Sequence, residues 1–138
     1  MAGQATFTVE VLTPEGEVFR GDVVSVSTKT VGGEIGVLAN HVPILAALEP
    51  NLLRLQVSDS ERVEFAQAHG IMQVFGNQAE ILVEEAIPVA DLDVASLEVQ
   101  LEDARARAED ESAGEASRAA AEKDLERIEA FLGIARGS

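Results

Sequence analysis

The sequence has no cysteine, no tryptophan and no tyrosine, and it carries few positive charges. Without cysteine, neither a disulfide nor a thiolate metal site can form. The 10 lysine and arginine residues stand against 25 aspartate and glutamate residues, giving a formal net charge of -15. Such a charge repels nucleic acid and anionic lipid. We therefore expect no nucleic-acid partner, and partners that are basic or join through apolar patches.

Long apolar runs are also missing. The longest fall short of the roughly 18 residues that a transmembrane helix needs, so no membrane-spanning segment is expected. The first residues lack the basic and then apolar pattern of a signal peptide, so none is expected. Hydrophobic residues make up 46% of the 138 residues and aromatic residues only 4%, which predicts an aliphatic core. A soluble cytosolic protein fits these features.

The first part of the chain alternates with a period of two. Phe7, Val9 and Val11 are separated by polar residues, and the same pattern recurs in several short segments as far as Val83. Turn signals at residues 13–16 and at 76–77 divide these segments. Many short strands separated by turns predict an all-β sandwich or barrel over residues 1–88.

The pattern changes near Pro88, where apolar residues begin to recur at steps of three and four. The two apolar stripes are Val94, Leu97, Leu101, Ala104 and Ala108, and then Ala121, Leu125, Ile128, Leu132 and Ala135. Asp93 is the predicted N-cap of the first helix, and Ser112 with Glu115 predicts a capping box for the second. Residues 89–138 should therefore form an antiparallel helical hairpin, weakly held because alanine buries little area.

A glycine-framed stretch lies in the middle of the strand-rich part. Its glycines precede an apolar segment, residues 35–48, that we expect to form a loop. Glu34 and His41 interrupt this segment without forming a catalytic set. The stretch predicts a shaped contact surface, with three residues entering the core: Ile35, Val37 and Leu38.

One ordered set of segments resembles a known family. The segments are residues 11–16, Gly21, 33–38 with His41 and Pro43, then 70–74 and 79–86. Their order and spacing resemble the epsilon subunit of the F-type, proton-translocating ATP synthase, which is called delta in mitochondria. The resemblance covers nearly the whole chain. It implies a flattened β-sandwich followed by a two-helix hairpin, the same architecture that the periodicity predicts.

The resemblance also implies a function. Members of this family are non-catalytic rotor subunits of the central stalk that help to couple proton translocation through the c-ring to ATP synthesis. It implies that residues 1–88 bind the gamma subunit and the c-ring. Residues 89–138 would form a regulatory hairpin that meets the alpha and beta subunits transiently and restrains ATP hydrolysis. The implied location is the cytoplasmic face of a bacterial cell membrane, as a peripheral part of the complex.

Two sets of site residues follow. The partner-binding candidates share the glycine-framed stretch, and they are Gly33, Glu34, Ile35, His41, Val42 and Pro43. Family members that bind ATP carry an arginine near the start of the hairpin, where this chain has Ser96. We therefore expect no cofactor and no tight ATP binding. The candidates for a weak nucleotide site are Asp93, Arg118 and Arg127.

The residues alone also bear on two further classes of function, a small hydrolase and a non-catalytic adaptor. A small hydrolase is excluded, because the sequence lacks a nucleophile elbow, a phosphate-cradling glycine loop with lysine, and a cluster of histidine with carboxylates. His41 and His69 show no short ligand spacing, so no metal site is expected. The alternative to a stalk subunit is a non-catalytic adaptor that bridges two other proteins. Capture of the gamma subunit would separate the two.

Overall fold

The computed structural model describes residues 5–137. It has ten β-strands, followed by a short 3₁₀ turn (Val89–Asp91) and two α-helices. The chain divides into two compact units, with the boundary between Pro88 and Val89. The order of elements confirms the predicted fold class, a β-sandwich followed by a helical hairpin.

The strands are short and follow one another closely. They are β1 (Phe7–Thr13), β2 (Gly16–Val23), β3 (Ser25–Thr30), β4 (Gly33–Leu38), β5 (Ile44–Leu48), β6 (Asn51–Gln56), β7 (Arg62–Gln67), β8 (Gly70–Phe75), β9 (Gln78–Val83) and β10 (Ala86–Pro88). The turns that join β1 to β2 and β8 to β9 lie at residues 13–16 and 76–77, as the sequence predicts. Gly16 has φ of 126°, and the Gly76–Asn77 pair has φ of 52° and 59°. Glycine and asparagine tolerate these left-handed angles better than other residues do.

Hydrogen bonds join the strands in the order β10-β7-β6-β3-β5-β8-β9-β1-β2, and β4 pairs with β3. Strands β1 and β9 run parallel, and the other neighbouring pairs are antiparallel. Between β3 and β5 the register has a single pair, Thr30 with Leu48. The sheet folds over at this point, which gives the two layers of the sandwich.

Aliphatic side chains fill the space between the layers. They come from alternate positions of nine strands, and the buried set is Phe7, Val9, Val11, Val23, Val26, Val37, Leu48, Leu53, Leu55, Phe65, Met72, Val74, Ala79, Ile81 and Val83. Burying one such large side chain contributes roughly 1.5–3 kcal/mol relative to leaving it in water. The period-two pattern therefore decides which face of each strand lies inside.

The glycine-framed stretch differs from the prediction. Most of residues 35–48 belong to β4 and β5, so they are strand rather than loop, and only residues 39–43 connect the two. Val37 is buried and Ile35 packs against the core, as predicted. Leu38 is 62% exposed, so its predicted place in the core is wrong. The reason is the strand period, since neighbours on a strand point to opposite faces.

The C-terminal unit is a pair of antiparallel helices, α1 (Val94–Glu109) and α2 (Glu115–Ala135). Asp93 caps α1, since its Oδ1 accepts hydrogen bonds from the backbone N–H of Ala95 (3.1 Å) and Ser96 (3.5 Å). The predicted capping box of α2 is wrong, because its N-cap is Gly114 and no side chain bonds there. Ser112 instead donates from Oγ to Asp110 Oδ1 at 2.6 Å.

The predicted stripes form the buried side of each helix. The buried residues among them are Leu97, Ala104, Ala121, Ile128 and Leu132. Phe131 is also buried, which the stripe did not predict, and the guanidinium carbon of Arg127 lies 5.7 Å from its ring centroid. Neither helix, as described, is long and apolar enough to cross a bilayer.

Candidate docking surface

The turn between β3 and β4 presents Glu34 at the surface. Thr30 shapes this turn, because its Oγ accepts from the Gly32 N–H at 3.1 Å and donates to the Gly33 carbonyl at 2.9 Å. Gly33 has φ of 124°, an angle that other residues rarely adopt. Glu34 then stands exposed on β4, opposite Lys29 of β3. A carboxylate in this position can meet a polar or basic partner.

The connection between β4 and β5 holds His41 in place. The His41 N–H donates to the Leu38 carbonyl at 3.2 Å, and its ring Nδ1 lies 2.7 Å from the Val42 carbonyl oxygen. Because a carbonyl only accepts, that geometry requires the proton on Nδ1. His41 is half-buried, whereas Val42 is 68% exposed and Pro43 follows it at the surface. The apolar neighbours, rather than the imidazole, offer most of the free surface here.

Asn77, which the sequence predicts only as a turn residue, fixes this connection. Its Oδ1 accepts from the Asn40 N–H at 2.7 Å, and its Nδ2 donates to the Thr6 carbonyl at 3.2 Å. Asn40 itself has φ of 63°. The β8–β9 turn therefore positions residues 39–43 through one side chain. The only sequence signal was the Gly76–Asn77 turn, which predicted a turn and no long-range contact.

An apolar row crosses four neighbouring strands. Pairing aligns Ala47 of β5 with Ile71 of β8, Ile71 with Leu82 of β9, and Leu82 with Leu12 of β1. Residues directly opposite one another share a face of the sheet. Their neighbours Met72, Ile81 and Val11 are buried, so the row points outward.

We call this row, with two further residues of the same strands, the apolar face: Leu12, Leu45, Ala47, Ile71, Phe75 and Leu82. Leu45 is 72% exposed, Ile71 44%, Leu82 41% and Phe75 38%. Contiguous exposed apolar side chains of this size are typical of surfaces that bind another protein. The sequence alone does not reveal this face.

Ion pairs border the apolar face on the β1–β2 side. Arg20 pairs with Glu10, which lies directly opposite it, and its Nε donates to Glu17 Oε1 at 2.8 Å. The hydrogen bond that Arg20 donates to Glu17, and then the charge of Glu10, raise the pKa of the Arg20 guanidinium. A polar border of this kind around apolar side chains is the usual arrangement of a protein interface.

The partner-binding candidates are thus brought together along β4 and residues 39–43, but with different exposure. Glu34, Val42 and Pro43 are exposed, and Gly33 shapes the turn. Ile35 packs against the core, so it supports the surface from below.

The nucleotide candidates are not brought together within the hairpin. Asp93 uses its carboxylate to cap α1, and Arg118 lies in the first turn of α2, where its N–H donates to the Gly114 carbonyl at 3.1 Å. The helices are antiparallel, since Arg136 after α2 reaches Glu98 near the start of α1 at 2.7 Å. With 16 residues in α1, about 24 Å separates its ends. Asp93 and Arg118 therefore lie at opposite ends of the hairpin.

His69, considered above as a metal ligand, lies at the β7–β8 turn. Its Nε2 is 3.5 Å from Glu49 Oε2. This pair belongs to the sandwich, next to the β5–β6 turn, and it is separate from the residues of the apolar face.

Comparison with known proteins identifies what the chain is similar to. Residues 6–89 match the family model described as ATP synthase, Delta/Epsilon chain, beta-sandwich domain. The "ATP synthase epsilon chain" of Sulfurihydrogenibium is 35% identical over 129 residues, covering 94% of this chain and 96% of that protein. The protein of the same name from Persephonella marina is 39% identical over 104 residues, 75% of this chain and 76% of that protein.

Two solved structures of ATP synthases also contain a chain that is similar to this one. A chain of the Euglena gracilis mitochondrial ATP synthase, solved as OSCP, F1 and c-ring, matches with a TM-score of 0.78 and 26% identity, covering 95% of this chain and 82% of that chain. A chain from the central stalk and c-ring of the Tetrahymena thermophila mitochondrial ATP synthase matches with a TM-score of 0.65 over 97% of this chain and 99% of that chain. At 16% identity the second match shows a shared fold alone.

Proposed function

Because the chain belongs to the ATP synthase delta/epsilon family, we propose that its sandwich binds the gamma subunit through the apolar face and the c-ring through the β3–β4 turn. The chain is a non-catalytic, central-stalk subunit of the F-type ATP synthase. Because the chain belongs to this family, the alternative of a generic adaptor no longer applies.

The observation that carries the proposal is the apolar face. Four large side chains that expose 38% to 72% of their surface lie on neighbouring strands of one rigid sheet. Exposed apolar area of this kind is costly in water and becomes favourable when another protein covers it. A rotor subunit must transmit torque, and a pre-formed sheet face offers a contact that does not need to be ordered on binding.

The β3–β4 turn is the proposed contact with the c-ring. It carries the exposed Val31 and Glu34, and it is held by the two hydrogen bonds of Thr30. The connection at residues 39–43 lies next to it in the chain and adds Val42 to the surface. Through these contacts the subunit takes part in coupling proton translocation to ATP synthesis, as a peripheral subunit on the cytoplasmic face of the membrane.

The hairpin is the proposed regulatory part, with transient contacts to the alpha and beta subunits. Its charge argues for weak contacts, since residues 89–138 carry 6 basic and 13 acidic residues, a balance of -7. The supporting feature is an ordered hairpin with its own N-cap and cross-helix ion pairs.

The test compares Ile71→Glu with Val99→Glu. Ile71 lies on the apolar face, whereas Val99 is 71% exposed on α1, outside the sandwich. Both chains should fold and melt like wild type, because both side chains already face water. Co-purification with the gamma subunit should fail for Ile71→Glu and succeed for Val99→Glu. Retention of the gamma subunit by Ile71→Glu would show that gamma binds elsewhere.

The c-ring contact needs its own variants. Glu34→Lys reverses the exposed charge, and His41→Ala removes the ring that bonds the Val42 carbonyl. Both should weaken proton-driven ATP synthesis in the reconstituted complex, while soluble ATP hydrolysis stays unchanged. If both variants couple as well as wild type, the β3–β4 turn is not the c-ring contact.

A further inference from the structure

Strand β4 is a free edge of the sandwich that lacks the usual protection. Sheets protect free edges with charges, prolines, bulges or very short strands, because an open edge accepts another strand. The edge strand β2 carries Glu17, Arg20 and Asp22 and pairs through a bulge at Val11–Leu12. The edge strand β10 has three residues and ends at Pro88. Strand β4, in contrast, has Glu34 as its single charge, and no proline.

The register of β4 is unbroken. All six of its residues pair with β3, from Gly33 opposite Thr30 to Leu38 opposite Ser25. Two residues, Val31 and Gly32, form the turn, and the pair that closes such a hairpin exchanges hydrogen bonds. Because hydrogen-bonded and non-hydrogen-bonded pairs alternate, Gly33, Ile35 and Val37 direct their backbone groups to β3. The N–H and C=O groups of Glu34 and Gly36 then face the free edge.

Two hydrogen bonds agree with this alternation. On the far side of β3 the carbonyl of Lys29, which is opposite Glu34, accepts from the Glu49 N–H at 3.0 Å. At the end of β4 the Leu38 carbonyl accepts from His41 rather than from β3. Odd positions of β4 thus bond to β3, and even positions point away from it.

The edge is open to an incoming strand. Glu34, Gly36 and Leu38 are exposed, and a Cβ built on Gly36 meets no atom within 4 Å. None of the backbone hydrogen bonds described in turns, loops and caps of residues 5–137 involves the N–H of Glu34 or of Gly36. Because glycine has no side chain, a backbone can approach closely at Gly36.

We propose that an extended segment of the gamma subunit pairs with β4 as an added edge strand. This rests on the proposed function, because residues 39–43 join β4 directly to β5, which carries Leu45 and Ala47 of the apolar face proposed for the gamma subunit. Charge selects this occupant over a second copy of the chain. Residues 1–88 hold 4 basic and 12 acidic residues, so two copies repel. The added strand should carry a lysine or arginine opposite Glu34, since opposite charges across strands are favourable.

The first test uses Gly36→Pro with Gly36→Ala as its control. Proline removes the N–H that faces the edge, and edge strands accept proline where the N–H would face solvent. Alanine keeps the N–H and adds a methyl group into open space. The affinity of the full chain for the gamma subunit should fall about tenfold or more in Gly36→Pro and stay within about twofold in Gly36→Ala. Equal affinities of a folded Gly36→Pro chain and wild type would overturn strand addition.

The second test needs no variant. In the free chain the amides of Ile35 and Val37 should exchange slowly with solvent, and those of Glu34 and Gly36 quickly. In the complex with the gamma subunit, Glu34 and Gly36 should also become slow. Persistent fast exchange at these two amides in a formed complex would overturn the inference and leave the proposed function intact. If the gamma subunit does not bind the wild-type chain at all, the proposed function fails instead.

Discussion

Arg107 of α1 places its Nη2 atom 3.1 Å from Oδ2 of Asp124 on α2. Its Nε also donates to Asp103 at 2.9 Å, and the hydrogen bonds that Arg107 donates to Asp103 and then to Asp124 raise the pKa of the guanidinium. At the other end of the hairpin, Arg136 pairs with Glu98 at 2.7 Å. Ion pairs thus join the two helices near both ends, and the buried seam between the helices includes the small residues Ala104 and Ala121.

Removing Arg107 should loosen the hairpin. We expect Arg107→Ala to lower its resistance to denaturant, and the effect should shrink in high salt because the pair is solvent-exposed. A double-mutant cycle with Asp124→Ala on the full chain, followed by helical circular dichroism, measures the coupling. Arg105→Ala is the control, since Arg105 reaches only Glu102 of the same helix among the ion pairs described. Purely additive effects of Arg107→Ala and Asp124→Ala at low salt would contradict the claim.

Gly70 is required by close packing in the sandwich. A Cβ built on Gly70 would overlap the Leu82 carbonyl oxygen and lie 2.7 Å from Val83 Cα. Gly70→Ala should therefore destabilise the sandwich by about 1–3 kcal/mol, as overpacking does. Denaturant unfolding followed by strand circular dichroism tests this. Gly36→Ala is the matched control and should be near neutral. A Gly70→Ala chain as stable as Gly36→Ala would refute the close approach.

The fold class was predictable because local patterns determine it. Alternation with period two, turn glycines and the change of period near Pro88 are all visible in the sequence. The apolar face was not predictable by the same means. Leu12, Ile71 and Leu82 are distant in the sequence, and only the pairing of β8 with β9 and of β9 with β1 aligns them. Register is set by the assembled sheet, and a shift of one residue would reverse the face.

Local competition explains the other failures. Ser112 has two possible roles, capping α2 or bonding Asp110, and in the structure its hydroxyl bonds the Asp110 carboxylate. Asn77 was recognised as a turn residue, but its contacts with Asn40 and Thr6 depend on how the strands are brought together. Leu38 was assigned to the core by its hydrophobicity, although its strand position makes it face outward.

Asp110 should make the helix–helix turn sensitive to acid. Hydrogen bonds from the Ser112 side chain and then its backbone N–H, at 2.6 and 3.0 Å, hold the pKa of the Asp110 carboxyl below its usual 3.8. A folded pKa below the unfolded one contributes stability above the unfolded pKa, and that stability is lost as the pH falls through the folded pKa. The Ser112 amide resonance should therefore move below about pH 4. Asp110→Asn should abolish that step, and a midpoint above the usual 3.8 in the wild type would contradict the prediction.

The isolated chain should not bind ATP tightly. A bound triphosphate needs cationic groups that match its charge. The hairpin start has Ser96 where ATP-binding members have arginine, and Asp93 and Arg118 lie at opposite ends of the helices. Calorimetry with ATP and magnesium should give no saturable heat at micromolar ATP, beyond a blank with magnesium alone. A micromolar dissociation constant would sink this prediction and point to Arg118 or Arg127 as ligands.

The hairpin should restrain ATP hydrolysis only weakly. In the family, an extended hairpin meets an acidic stretch of the beta subunit through basic residues, as the resemblance implies. Residues 89–138 of this chain have 6 basic and 13 acidic residues, so they carry -7. Like charges repel modestly at the surface and more strongly when water is removed. The apolar residues Leu125, Ile128 and Leu132 can still dock, which allows some inhibition.

We therefore expect a chain truncated after Ala90 to raise ATP hydrolysis by the whole complex less than about threefold, equivalent to about 0.65 kcal/mol in the barrier. The measurement compares complexes with full-length and truncated chains at low and high salt. High salt screens repulsion, so it should leave inhibition by the full-length chain unchanged or slightly stronger. A large increase on truncation that disappears at high salt would mean that attractive charge contacts hold the hairpin in place. A strongly basic patch on the alpha or beta subunit would then have to face the acidic helices, and net charge alone would not predict the strength of inhibition.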